Sequence, residues 1–187
     1  MGKLKFSKTK IDGVYVIEPQ VFGDNRGYFM ETYNENDFIN EGINIKFVQD
    51  NQSSSKFGVL RGLHFQKNYP QSKLVRVLNG EVFDVAVDLR KNSKTYGKWV
   101  GCILSDINKK QLLIPKGFAH GFLVLSDYAE FAYKCDEFYH PEDEGGIFWD
   151  DPNISIDWPI KDNIILSDKD KNNPFLKEAK IYFEFKE

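Results

Sequence analysis

The sequence predicts an all-β fold, a sandwich or jelly-roll β-barrel with short peripheral helices, and three observations lead there. Short apolar runs recur at strand spacing with turn-forming residues between them. No stretch carries the apolar period of a long helix. The 187 residues include 16 Phe, 9 Tyr and 3 Trp, which suits half-buried sheets and sites that stack flat rings. This length fits one well-buried domain, and residues 1–187 read as a single unit without repeat, linker or low-complexity tract.

In chain order, GVYVIEP (13–19), GYFMETY (27–33) and IKFVQDN (45–51) read as strands. NENDFINEG (34–42) reads as a short helix capped by Asn34 and stopped at Gly42. KLVRVLNGEVFDVAVDL (73–89) reads as a hairpin about Asn79-Gly80, since both central residues of a type I′ turn need positive φ. Strand parity puts Lys73, Val75 and Val77 on one face, and Phe83, Val85, Val87 and Leu89 on one face of the partner strand. Lys73 is thereby expected to point inward, a solvated strand-end lysine being the other reading. KWVGCILS (98–105), QLLIP (111–115), HGFLVLS (120–126) and YAEFAYKCD (128–136) are further strands. Parity sets Tyr133 with Ala129, Phe131 and Cys135, His120 with Phe122 and Val124, and Glu31 with Phe29 and Tyr33. Residues 160–175 form a polar C-terminal segment, and KIYFEF (180–185) suits a last strand.

A net charge of −3 and a pI near 5.7 argue against nucleic acid as the main partner. The first ten residues lack an apolar signal core, and no run is long enough to span a membrane, so the expected location is the cytoplasm. Cys102 and Cys135 each lie in an apolar strand, where buried thiols are expected rather than a disulfide or a metal site.

Five polar side chains fall on apolar faces: His64, Lys73, His120, Tyr133 and Glu31. One inward histidine is ordinarily a satisfied core residue. Five such groups on converging strands are costly to bury, and a shared ligand pocket accounts for all of them. PKGFAHGF (115–122) is similar to the second half of a metal-cupin motif. The first half fails, because the leading position is His64-Phe65-Gln66 and Lys73 stands where a carboxylate would help; a fixed cation repels a metal ion. The set suits proton transfer beside a carbonyl instead. A histidine removes the proton, a lysine ammonium stabilises the enolate, and a tyrosine on the other side returns a proton. Arg26 and Arg61 suit a diphosphate through forked hydrogen bonds, and Tyr139 suits the stacking of a base.

Nine stretches carry a family resemblance from Gly13 to about Phe175: DNRGYFMETYN (24–34), FVQDNQS (47–53), VLRGLHFQ (59–66), KLVRVLNGEVFDVAVDLR (73–90), IPKGFAHGF (114–122), EFAYKC (130–135), WDDP (149–152), IDWP (156–159) and LSDKD (166–170). Together they resemble the dTDP-4-dehydrorhamnose 3,5-epimerase family of dTDP-L-rhamnose synthesis. The resemblance implies a cupin-like jelly roll that forms homodimers and uses neither metal nor cofactor. It implies the substrate dTDP-4-dehydro-6-deoxy-D-glucose, whose C3 and C5 flank the C4 ketone. It makes His64 the base, Asp170 its partner, Tyr133 the proton donor and Lys73 the enolate stabiliser. Arg26, Phe29 and Glu31 match the R-G-x-F-x-E motif, with the Arg26 counterpart reaching across from a partner subunit. Gln49, Asn51, Arg61, His120, Glu144 and Lys169 match binding positions, and Tyr139 the residue that stacks on thymine. Asp168, two residues before Asp170, departs from the small residue often found there, and Cys135 from a common threonine.

Arg61 and His64 have opposite strand parity, yet both must face the pocket, which predicts a bulge or kink at 61–63 allowed by Gly62. Three other readings stay open: a single-site 3- or 5-epimerase or a ketoisomerase on the same scaffold, a metal cupin, and a non-catalytic sugar-nucleotide binder. Binding alone needs no acid/base groups on opposite faces of a ligand.

Overall fold

The computed structural model describes residues 3–181, 183 and 184. Two antiparallel sheets face one another. Their strands are β1 (Leu4–Lys8), β2 (Tyr15–Pro19), β3 (Val21–Asp24), β4 (Gly27–Met30), β5 (Gln49–Lys56), β6 (Leu60–Gln66), β7 (Lys73–Asn79), β8 (Glu81–Asp88), β9 (Trp99–Ser105), β10 (Gln111–Ile114), β11 (Phe118–Val124), β12 (Tyr128–Cys135) and β13 (Glu144–Gly146). One sheet runs β1-β2-β10-β7-β12-β5, the other β13-β6-β11-β8-β9, and β3-β4 stand apart as a hairpin. Two short helices, α1 (Glu35–Asn40) and α2 (Asp168–Lys171), lie at the periphery. This is the expected all-β jelly roll.

Three apolar layers hold it together, because apolar area removed from water is what drives these sheets to stack. Val75, Val77, Val82, Ala86, Phe122 and Phe131 belong to the layer between the sheets. Leu63, Val85, Val87, Ile147 and Trp158 pack in a second layer, where 147–181 covers the back of the five-stranded sheet. Leu74, Leu113 and Phe38 fill a third, where α1 covers the six-stranded sheet. The Asn34 side chain caps α1 by accepting the Asn36 N–H, as its position before the helix predicts. Buried Asp151 pins the C-terminal cover by accepting the Leu176, Asn153 and Ile154 backbone N–H groups.

Several sequence readings need correction. Asn79-Gly80 does not close a hairpin: β7 pairs with β10 and β12, while β8 pairs with β11 and β9. Only Gly80 has positive φ, +82°, so no type I′ turn forms and the chain steps from one sheet to the other. β8 is consequently buried on both faces. Val82, Asp84 and Ala86 face the other sheet, and the face predicted as inward, with Val85, Val87 and Leu89, lies under the C-terminal cover. The strand expected at 45–51 begins only at Gln49, and that expected at 27–33 ends at Met30. The alternation used to turn Glu31 inward therefore fails: Phe29 is exposed, and Glu31 accepts a hydrogen bond from the Asn34 side chain. The strand expected at 180–185 falls partly outside the described residues; Glu184 makes an isolated parallel bridge to Lys91.

Cys102 and Cys135 are both free, Cys135 buried and Cys102 half-buried. Among the described residues no helix is long and apolar enough to cross a membrane.

A Cβ on Gly80 would lie 2.1 Å from the Tyr128 carbonyl oxygen and 2.5 Å from Ser126 Oγ. Gly80→Ala is expected to lower unfolding stability by about 2 kcal/mol or more, through this clash and the positive φ. Urea unfolding measures it; an unchanged midpoint would show that the crossing between sheets yields freely.

Candidate active site

A cavity of about 460 Å³ opens between the sheets, and His64, Lys73, His120, Tyr133, Arg61 and Asp170 all reach it. Three local features bring them together. The first is on β6. His120 of β11 pairs with His64, but Phe122 pairs with Arg61, so β6 carries one more residue than β11 over this interval. The bulge turns Arg61 and His64 to the same side, toward the cavity. Gly62 sits there at φ +123° with its Cα against Gly121; an added Cβ would meet Gly121 Cα at 2.6 Å. The Gly62–Leu63 peptide is cis.

The second feature is the C-terminal segment. Ile165 bonds in both directions with the start of β6, donating to the Gly58 carbonyl and accepting from the Leu60 N–H. Ser167 then caps α2 by accepting the Asp170 N–H, which sets the Asp170 side chain beside β6. Asp170 Oδ1 lies 2.5 Å from His64 Nε2. Burial works to raise the Asp170 carboxyl. Hydrogen bonds from His64, Ser167 and the Gly62 backbone outweigh it and hold the group below the usual carboxylate range. Asp168, the neighbouring candidate, is exposed and pairs with Lys171.

The third is the floor formed by β7 and β12. Lys73 lies opposite Cys135, and Val75 opposite Tyr133. The Lys73 ammonium sits 5.9 Å from the Tyr133 ring centroid, and among the described residues no carboxylate lies within ion-pair distance of it. Burial pushes the Lys73 pKa down and the Tyr133 phenol up. Lys73 is thus the inward-facing lysine of the two readings.

Around the mouth, Glu144 joins several groups. It accepts from Tyr139 Oη at 2.7 Å, pairs with Lys169, and lies 3.9 Å from His64 Nδ1. Burial raises the Glu144 carboxyl, but the Lys169 and Tyr139 bonds and the charge of His64 bring it below its ordinary value. The same contact pushes the Tyr139 phenol up to about 12. Arg61 Nε donates to Ser55 Oγ, which fixes the arginine along the rim. Gln49 and Asn51, opposite Cys135 and Tyr133, are tied together at 3.0 Å. Gln49 Oε1 also accepts the Tyr139 N–H.

Arg26, Phe29 and Glu31 do not join this cluster. Arg26 pairs with Asp24 at 2.6 Å on the exposed β3-β4 hairpin. One group escaped the sequence reading. Asp84 is fully buried, and its oxygens lie 3.1 and 2.9 Å from His120 Nε2. Burial pushes its carboxyl up, against the pull of His120 and Lys73. Its parity with Val82 and Ala86 was the available signal. Among the described residues no group of three or more His, Cys, Asp or Glu side chains is placed to hold a metal ion.

Comparison with known proteins gives the family. The model of the dTDP-4-dehydrorhamnose 3,5-epimerase family matches residues 8–178. The chain belongs to this family. It is 58% identical over 184 residues to the dTDP-4-dehydrorhamnose 3,5-epimerase of Methanothermobacter thermautotrophicus, covering 97% of this chain and 100% of that one. The Escherichia coli K12 protein of that name is 58% identical over 166 residues, covering 88% and 90%. Among solved structures, the dTDP-6-deoxy-D-glucose-3,5-epimerase of Legionella pneumophila, in complex with dTDP-4-keto-L-rhamnose, superposes with a TM-score of 0.91 at 52% identity over 94% of each chain. The jelly roll is thus the fold of an epimerase family.

The family fold holds the Lys73 ammonium in the sheet interior against its own desolvation. Lys73→Met is expected to raise unfolding stability at neutral pH by about 0.5–2 kcal/mol. The folded-state pKa is depressed, so the unfolded chain holds the proton more tightly and wild-type stability climbs with pH between the lowered value and the ordinary 10.5. The gain is therefore largest below that window and fades as pH rises through it. Thermal unfolding across pH measures this; a loss of stability at neutral pH would mean that the ammonium is favourably partnered.

Proposed function

We propose that this protein is a dTDP-4-dehydrorhamnose 3,5-epimerase, acting as one domain on dTDP-4-dehydro-6-deoxy-D-glucose to form dTDP-4-dehydro-L-rhamnose. The carrying observation is the His64–Asp170 pair facing Lys73 and Tyr133 across one cavity, in a chain of this family. The C4 ketone acidifies the protons at C3 and C5. His64, oriented by Asp170, takes a proton from the carbon, and the electron pair moves onto the C4 oxygen as an enolate. The Lys73 ammonium meets that negative charge, and the water-poor setting that depresses its pKa also strengthens the contact. Tyr133, whose phenol burial keeps protonated, returns a proton to C5 from the opposite face and so inverts the centre. At C3 the same base removes the proton, the electron pair moves onto the same C4 oxygen as the C3–C4 enolate, and a proton from solvent returns to C3 on the opposite face.

Arg61 and His120 grip the sugar and diphosphate side, and Tyr139 stacks on thymine. Gln49, Asn51, Glu144 and Lys169 complete the nucleotide contacts. No metal or cofactor has a part in these steps. Two free cysteines suit a reducing compartment, and we place the protein in the cytoplasm.

The assembly we propose is a homodimer built through the β3-β4 hairpin. Phe22, Tyr28 and Phe29 are exposed on it, and such a patch ordinarily marks an interface. In the dimer, Arg26 and Glu31 of the partner subunit would complete the diphosphate and sugar contacts, and Phe29 would lie at the seam. Phe29→Asp is expected to shift the protein from dimer to monomer in sedimentation and to raise KM. A monomeric wild type would sink the dimer reading.

For the chemistry, wild-type enzyme in deuterated water is expected to label the substrate at both C3 and C5. His64→Asn is expected to lower exchange at both carbons by about a hundredfold or more. Tyr133→Phe is expected to slow product formation more than initial proton loss. NMR and mass spectrometry read the label; label at one carbon only in the wild type would mark a single-site epimerase.

A further inference from the structure

Asp84 is a buried carboxylate that the mechanism above leaves without a task. It stands on the face of β8 shared with Val82 and Ala86, in the layer between the sheets. Packing alone calls for an aliphatic residue there, since an unpaired carboxylate in such a setting is costly. Its hydrogen-bond partner among the described residues is His120, whose Nε2 lies within 3.1 Å of both Asp84 oxygens. The His120 ring lies beside a stacked pair, Phe122 on Phe131 at 4.1 Å and 16°. Phe131 stacks on it at 6.0 Å and 21°, and Phe122 lies at 6.4 Å and 36°. Asp84 fixes the rotation of the ring, and Phe131, nearly parallel to it, packs beside it.

This places a polar group next to the reacting one. His120 is directly opposite His64 in the β6–β11 register, and it lines the cavity with Lys73. His120 Nδ1 makes no hydrogen bond to the protein among the described residues. The titratable groups around it are Asp84 on β8, His64 on β6, Lys73 on β7 and Tyr133 on β12. We infer that Asp84 is a positioning residue of the reaction: by taking the Nε2–H of His120 it aims Nδ1 into the cavity as a second donor, beside Lys73, to the sugar oxygen that becomes negative when the proton leaves.

This rests on the epimerase reading. A carboxylate on one ring nitrogen fixes how the other is presented, and the role inferred for Nδ1 is that of a donor as the enolate forms. His120 forms no covalent bond and returns no proton to carbon; its contact strengthens as charge develops on the C4 oxygen. The consequence is felt in kcat rather than in KM, because the bond is stronger in the transition state than in the bound substrate.

Asp84→Asn keeps the shape and removes the charge. It is expected to lower kcat by about 10- to 100-fold with KM little changed. His120→Asn is expected to lose a similar factor, and the double variant no more than either alone, as members of one unit do. Histidine ¹⁵N NMR of the wild-type protein provides a reading that needs no variant to fold: His120 is expected to carry a proton on both ring nitrogens. A wild-type kcat in Asp84→Asn, a loss confined to KM, losses that multiply in the double variant, or a His120 with a proton on only one ring nitrogen would each overturn the assignment. Failure of the epimerase reading looks different, since wild-type enzyme would then put no label at C3 or C5 while the NMR result stands unaffected.

Discussion

The contact between His64 and Asp170 joins residues 106 positions apart, and much of the molecule is arranged so that it can form. It needs the bulge on β6, which turns His64 toward the cavity while leaving Arg61 on the same side. It needs Gly62 and Gly121 to pass backbone against backbone, because no side chain fits between them. It needs the segment after Ile165 bonded to the start of β6, so that the short turn of helix beginning at Ser167 arrives beside His64. That segment is held by the second apolar layer, where Trp158, Ile156 and Leu176 pack on the back of the five-stranded sheet. The orientation of His64 and the packing of the C-terminal third are therefore one property.

Charge inside the sandwich is distributed with a clear division. One carboxylate, Asp170, is stabilised as an anion by several hydrogen bonds and lies against His64. Another, Asp84, is enclosed in the apolar layer, and among the described residues its hydrogen-bond partner is His120. Between them stands Lys73, whose ammonium lacks a carboxylate within ion-pair distance among the described residues. An unpaired ammonium in a pocket of low polarity is a poor contributor to folding and a strong one to the stabilisation of a new negative charge. The stability surrendered at this position is the counterpart of the chemistry proposed there.

Glu144 links the mouth of the pocket to its centre. It holds the Tyr139 hydroxyl and Lys169 at the rim and approaches His64 from the side opposite Asp170. Tyr139, proposed to stack on a nucleobase, and His64, the proposed proton acceptor, share Glu144 as a neighbour, and the short strand β13 carries it. The hairpin with Arg26 lies outside this connected set within one chain, and it bears the apolar side chains that a second subunit would cover.

Much of this was legible in the primary structure. Period-two alternation reports which residues share a face, and it placed Lys73 with Val75, Tyr133 with Phe131, and His120 with Phe122. The parity conflict between Arg61 and His64 was enough to predict the bulge. The family resemblance put Asp170 ahead of Asp168, and Asp170 is the one beside His64. Alternation does not say where a strand ends, so Glu31, just beyond Met30, was turned the wrong way. Nor does it say which sheet a strand joins. Asn79-Gly80 has the residues of a tight hairpin, yet the crossing between sheets uses them instead, because pairing β8 with β11 and β9 buries both of its faces. Asp84 was overlooked for the same reason, since its face became interior only once β8 was placed beneath a second layer. The sequence by itself determined the strands, their faces and the chemical types at the site. Only the tertiary structure decided the partners, because pairing and coverage depend on residues far apart in the chain.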